Sequence, residues 1–267
     1  MKRLTLVAIL LFCSAVWAQE YEGEIVPSQP LEVIDVPTAG LLARGGFRVE
    51  ADIYADGGVL VSVDVGFARY FTFGISYGGA NIIGSDDPEM NPEPAVNLKV
   101  GLLEESIVLP AIAVGFNSQG YGRYLDEKDR YGEERYLVKS RGIYAVASKN
   151  WDILGPCSLH GGVSYSLEDE IDKNPTVFLG LIKSFGRAID LRMEYDFAYN
   201  DNEGDCSLVE NRGYFNAALV WHLNENFSLA IEARDILTKD RDRCGSETIE
   251  DLRKWNRGIS IVYHDFL

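Results

Sequence analysis

The chain has 267 residues, 46% of them hydrophobic, and carries a formal net charge of −16. That length permits one domain with a large core, or one barrel. So large an acidic excess argues against a nucleic-acid binder and against a protein drawn to anionic lipid by long-range charge.

Lys2 and Arg3 precede the apolar run LTLVAILLFCSAV, and VWA follows to Ala18. A positive start, a short apolar stretch and a small-residue end form an export signal over residues 1–18, and the run is too short to span a bilayer comfortably as a helix. Phe12 stands where a lipoprotein signal needs a small residue before Cys13, so the mature chain is expected to start near Gln19. Losing Lys2 and Arg3 takes the charge from −16 to −18. Cys157, Cys206 and Cys244 then remain, and an odd count leaves at least one thiol unpaired. Residues 19–44 carry prolines and no sustained period, which reads as an extended lead segment. It is either a periplasmic tether or a small plug tucked into a lumen.

From Phe47 onward the pattern is strands. GFRVEADIY sets Phe47, Val49, Ala51 and Ile53 against Arg48, Glu50 and Asp52. VLVSVDVGF sets Val61, Val63, Val65 and Phe67 against Ser62, Asp64 and Gly66, and FTFGISYGG sets Phe71, Phe73, Ile75 and Tyr77 against Thr72, Gly74, Ser76 and Gly78. AVNLKVGLL, LPAIAVGF, GIYAVASKNW, CSLHGGVSYSL, TVFLGLIKSF, AIDLRMEYDFAY, GYFNAALVWHL, NFSLAIEARDIL and RGISIVYHDFL follow. Period-two alternation marks a strand with two unlike faces. These segments of 8 to 12 residues have the length that a tilted membrane strand needs. No later apolar run reaches helical spanning length, so any crossing must be made by strands.

The connections alternate. ARY, EES, DILGP, GRA and NEN are short, whereas ANIIGSDDPEMNPEP, NSQGYGRYLDEKDRYGEERYLVKSR, EDEIDKNP, NDNEGDCSLVENR and TKDRDRCGSETIEDLRKWN are long and charged. ADGG is the one tight exception among the outer connections. Sorting by parity is expected of an up-and-down barrel with both termini on one side, and a soluble sandwich has no reason for it. Aromatics gather at both ends: Phe67, Tyr70, Phe71, Trp151, Phe185, Trp221, Phe227 and Phe266 by the short turns, and Tyr54, Tyr77, Phe116, Tyr144, Tyr165, Tyr199 and Tyr214 by the long loops. They read as two interfacial girdles. The fold class is therefore all-β: residues 45–267 as an up-and-down antiparallel transmembrane β-barrel of about 12 strands, with apolar faces to lipid.

PTAGLLARGGF, the hairpin YADGGVLVSVDVGFARYFTFGISYGG and the aromatic-ended last strand GISIVYHDF resemble a bacterial outer-membrane β-barrel. That resemblance implies location in the bacterial outer membrane, contact with its lipid, and insertion by the barrel-assembly machinery. More narrowly, the glycine-rich hairpin together with AVGFNSQGYG…GIYAVASKN resembles the YjbH-like barrel family, which implies a link to exopolysaccharide secretion and a polysaccharide partner.

The inward faces carry Arg48, Glu50, Asp52, Asp64, Lys99, Asp190, Arg192, Glu194, Asp196, Glu232 and Arg234. They form a pore lining that selects solutes, or a paired ionic network that stiffens a narrow barrel, since buried charges must be paired. His160, His222 and His264 also fall on inward faces, and Ser158 shares a side with His160. No local motif sets Ser, His and an orienting group on one outer face, so no catalytic residue, metal or cofactor is expected. Cys206 and Cys244 lie in long outer loops and can pair, whereas Cys157 lies at the opposite end, too far to join them. Interior glycines such as Gly74, Gly115 and Gly180 mark bends or room for large inward side chains. The expected function is a passive channel or envelope component linked to glycan export. A non-conducting structural or adhesive barrel comes second and a lipid-modifying enzyme third.

Overall fold

The computed structural model describes residues 30–125, 134–168, 172–201, 213–237 and 256–267, and the backbone alone at 243–244 and 247–248. Cys206, and the side chain of Cys244, lie outside the described residues. Beside Gly79 and Ala80 a two-residue strand, Glu89–Met90, adds to the main sheet, and twelve strands of this description close that sheet into one antiparallel barrel. They are β1 (Gly46–Tyr54), β2 (Gly58–Ala68), β3 (Phe71–Ala80), β4 (Ala95–Leu103), β5 (Ala111–Asn117) and β6 (Gly142–Asp152), then β7 (Pro156–Tyr165), β8 (Thr176–Phe185), β9 (Ile189–Asp196), β10 (Tyr214–His222), β11 (Phe227–Arg234) and β12 (Asn256–Phe266). Each strand pairs with its neighbours in sequence, and β12 closes on β1 from Gly46↔Phe266 to Ile53↔Ile259. Closure leaves no barrel strand with an unpaired edge.

The alternation read from the sequence becomes two surfaces. Val61, Val63, Ile75, Leu159, Val163, Leu179, Leu219, Ile231 and Ile259 stand exposed on the outside. Asp64, Thr72, Lys99, Ser148, His160, Glu194, Asn216 and Ser260 are buried on the inside. An apolar exterior around a polar interior is the arrangement of a barrel that crosses a bilayer. Two lysines depart from it. Lys149 and Lys183 project outward, both near the short-turn end. Lys183 Nζ donates to the carbonyls of Ile153, Leu154 and Gly155 at 2.8–2.9 Å, and Lys149 Nζ lies 3.0 Å from Glu105. Each ammonium serves polar groups of a turn, as snorkelling side chains do.

The upper girdle needs correction. Tyr54, Tyr144 and Tyr214 are buried on the inner face. The phase of their strands decides this: Tyr54 shares a face with Arg48, Glu50 and Asp52, not with Ile53. Tyr77, Tyr165 and Tyr199 are exposed at that end, and Phe67, Phe185, Trp221 and Phe266 are exposed at the other.

Ala43 and Arg44 are exposed, and residues 30–42 lie inside the barrel. They pair with no barrel strand. Their tight loop closes on itself through Val33 N to Val36 O (2.9 Å), Thr38 N to Leu31 O (3.0 Å) and a Glu32↔Pro37 bridge. Val33, Val36 and Ala39 pack with Ala111, Ala113, Tyr144, Val146, Phe178 and Ile182 of β5, β6 and β8. At these positions β5, β6 and β8 are apolar on the inner face as well, although β7 between β6 and β8 turns Ser158, His160 and Ser164 inward. Glycine makes room for the segment: a Cβ at Gly66 would stand 2.0 Å from the Ala43 carbonyl oxygen. At the other end the β5–β6 connection folds into a hairpin, Tyr121–Leu125 with Arg135–Val138. Arg135 and Tyr136 are buried, and Arg135 pairs with Asp201. Burial pushes the Glu168 carboxyl above its ordinary value, although it accepts the N–H groups of Tyr136 and Ser140 at 3.1 Å.

Candidate functional site

The eleven charged residues that the sequence set on one face lie in β1, β2, β4, β9 and β11, and each is buried or half-buried. Arg48 reaches Asp64 and Glu50 at 3.0 Å. Lys99 Nζ donates to the Leu31 carbonyl at 2.5 Å. Asp190 accepts from His222 Nε2 at 2.8 Å and lies 4.0 Å from Arg192. Asp196 pairs with Arg141, and Glu232 pairs with Arg234. Ser260 donates to Glu50 at 2.8 Å.

The periodicity could not give the partners that residues 30–44 bring. Glu194 accepts three successive backbone N–H groups, from Ile34 (2.9 Å), Asp35 (3.0 Å) and Val36 (3.0 Å), and also Asn216 Nδ2 (2.7 Å). Consecutive N–H groups converging on one anion form a nest. Arg234 holds the Asp35 carboxylate from Nε at 3.0 Å and Nη2 at 2.9 Å. Arg192 Nη1 donates to the Val33 carbonyl at 3.1 Å, Ala39 N to Ser148 Oγ at 2.8 Å, and Leu42 N to Thr72 Oγ1 at 3.0 Å. Wall side chains thus satisfy the backbone of a segment that has no sheet of its own. Proline-flanked EVIDV was the only sequence signal.

The segment docks closely enough to be trapped. A Cβ at Gly180 would lie 3.4 Å from Val33 Cβ, near the roughly 3.5–4.5 Å range of disulfide bridges. The double substitution Val33→Cys with Gly180→Cys, with native cysteines changed to serine, is expected to cross-link on mild oxidation. Mass spectrometry of a tryptic digest checks for the bridged peptide, and its absence would refute the docked position.

Three spaces follow the lumen. An upper vestibule of about 270 Å³ opens under the long loops, lined by Tyr54, Tyr121, Tyr214, Asn216 and Arg234 among others. A lower one of about 420 Å³ lies toward the short turns, lined by Pro30, Leu31, Cys157, Arg192, His222 and His264 among others. Between them a waist of about 80 Å³ shares Asp35, Tyr121, Arg141 and Arg234 with the upper space. It shares Glu32, Ile34, Arg48 and Glu50 with the lower. Asp52 Oδ1, Asn97 Oδ1 and Tyr121 Oη are buried at the waist with no hydrogen-bond partner among the described residues. Such groups are ordinarily served by water. The guanidinium of Arg234 stacks 4.2 Å over the Tyr121 ring.

The Ser–His pair exists but is built into the wall. His160 meets Ser148 Oγ through Nδ1 (2.7 Å) and Ser158 Oγ through Nε2 (3.0 Å). At 2% exposure it lies inside the lumen, behind Ala39, with a serine on each nitrogen rather than an orienting carboxylate. Among the described residues Cys157 has no disulfide partner.

No family model matches the chain, and no curated protein matches it. The narrower YjbH-like resemblance therefore finds no support. Among solved structures the chain is similar to the KdgM porin (TM-score 0.49, 10% identity), covering 83% of this chain and 99% of that one. It is also similar to the NanC porin (TM-score 0.42, 8% identity, 83% and 99%). The outer membrane channel DcaP of Acinetobacter baumannii gives TM-score 0.30 and 8% identity over 82% and 96%.

Proposed function

We propose that this chain is a passive outer-membrane channel for small solutes. The observation that carries the reading is the row of three spaces that share lining residues, running from the long-loop end to the short-turn end past a waist lined by carboxyl and guanidinium side chains. Mixed carboxylate and guanidinium linings are how pores set selectivity, and the tight waist restricts passage to small or slender molecules. A wet charged path between apolar outer walls needs no cofactor and no chemical step. A glycan is the narrower candidate cargo, and a neutral one suits the mixed lining better than a polyanion does.

The test is planar-bilayer recording of the full mature chain. Discrete single-channel steps are expected. A flat baseline from protein that still shows heat-modifiable migration would remove the channel reading and favour a structural barrel. That second reading draws on the pairing of most inward charges and on the docking of residues 30–42 in the lumen. An enzyme reading gains nothing from a Ser–His pair facing away from lipid. Replacing Ser158 by alanine is accordingly expected to leave phospholipid vesicles as intact as the unaltered chain leaves them.

A further inference from the structure

We infer that residues 30–42 are a re-entrant plug that sets how wide a solute the channel passes: seated, it holds the pore to small molecules, and withdrawn, it leaves a wider one. This rests on the channel reading above. The segment enters and leaves at the same end. Pro30, Leu31 and Leu42 all line the lower vestibule. Gly45 N donates to the Gly66 carbonyl and Leu267 N to the Gly45 carbonyl, both at 2.8 Å, so the C-terminal limb is tied to the rim. Asp35 marks the tip, where the waist meets the upper vestibule. The segment thus stands in the lumen as a loop set in from the short-turn end.

Two observations make it the size-limiting element. The first is geometric. A barrel of twelve strands encloses more room than the kind of about eight strands, whose interior side chains fill unaided. Here Glu32, Ile34 and Asp35 complete the narrowest space, of about 80 Å³, while Val33 and Val36 fill the lumen against Tyr144, Phe178 and Ile182. Taking the tip away joins the waist to the spaces above and below it. The second is how the loop is held. Among the described residues its backbone meets the wall through the side chains of Glu194, Arg192, Ser148, Thr72 and Lys99, and it shares no strand ladder with the barrel. In a lumen open to water, each of these contacts has water as a substitute. The loop can therefore withdraw without opening the sheet. Ala43 and Arg44, exposed between the tied rim and the buried loop, supply the hinge.

The experiment measures planar-bilayer conductance together with the size cutoff for polyethylene glycols, which carry no charge. Thr38 N already donates to Leu31 O at 3.0 Å, so deleting residues 32–37 and joining the ends through two glycines removes the tip and leaves every barrel strand in place. The shortened chain is expected to conduct several-fold more than the native one and to admit longer glycols. The full-length Glu194→Ala, Asp35→Ala double variant, which loses the nest and the Arg234 pair, is the second probe. It is built on the Val33→Cys, Gly180→Cys pair with native cysteines changed to serine. Oxidised, it is expected to keep the native cutoff; reduced, it is expected to conduct more and to approach the cutoff of the shortened chain. Lumen charge is the same in both states, so the difference reads the position of the loop. A folded, heat-modifiable shortened chain with the native conductance and cutoff overturns the inference and leaves the channel reading standing, because the wall then sets the limit. If the shortened chain fails to fold, equal conductance and cutoff in the oxidised and reduced double variant overturn the inference in the same way. Silence from both the native and the shortened chain removes the channel reading and the inference with it.

Discussion

Changing Glu194 to alanine is expected to free residues 33–36 from the wall and raise their amide exchange by about a hundredfold. The carboxylate is buried and serves Ile34, Asp35 and Val36 together with Asn216. Each buried donor left without a partner costs about 1–3 kcal/mol. Water in the adjoining spaces recovers part of that. A net loss on the order of 3 kcal/mol corresponds to the hundredfold figure, at 1.4 kcal/mol per decade. The barrel itself should survive, because β9 keeps its ladders to β8 and β10. Glu194→Gln retains one carbonyl acceptor and should fall between the two. Hydrogen-exchange mass spectrometry over the segment, with heat-modifiable migration as the folding control, reads both effects. Unchanged exchange in Glu194→Ala would mean that the apolar contacts of Val33 and Val36 alone hold the segment.

The barrel was legible because its information is local and repeated. Ile189, Leu191, Met193 and Tyr195 alternate with Asp190, Arg192, Glu194 and Asp196, and such alternation places both faces once one face is known to meet lipid. Loop parity then supplied the ends. Glu194 could be read as inward-facing, but its partners could not, since three backbone N–H groups some 160 residues away leave no periodic trace. The EVIDV stretch is too short and too irregular to announce a docked loop. The apolar sector of the lumen was hidden for the opposite reason. Inward Ala111, Ala113, Tyr144 and Val146 resemble their outward neighbours, so β5 and β6 give no contrast between faces. The inward tyrosines follow the same logic: position at a strand end suggests an interface, but the phase of the strand decides which way the ring turns.

Orientation is open to a harsher test, through paired arginine substitutions one residue apart on β11. Ile231 is 62% exposed and is flanked in register by Leu219 and Ile259, an apolar row near the middle of its strand. Ala230 is 7% exposed and borders the lower vestibule beside Glu232. A side-chain period of two sends these neighbours to opposite faces. Arginine at Ile231 must enter hydrocarbon, at a cost of about 2–4 kcal/mol at the midplane. Arginine at Ala230 enters a space that is already polar and gains a carboxylate neighbour. Ile231→Arg should therefore lose most of its folded, heat-modifiable form on insertion into lipid vesicles and unfold at markedly lower urea. Ala230→Arg should insert normally and lose conductance instead, because the added side chain narrows the lower space. A reversed outcome, with Ile231→Arg tolerated and Ala230→Arg failing to fold, would mean that the exposed valines, leucines and isoleucines face water or another protein surface. The lumen would then be a dry core, and the charged path built on this orientation would go with it.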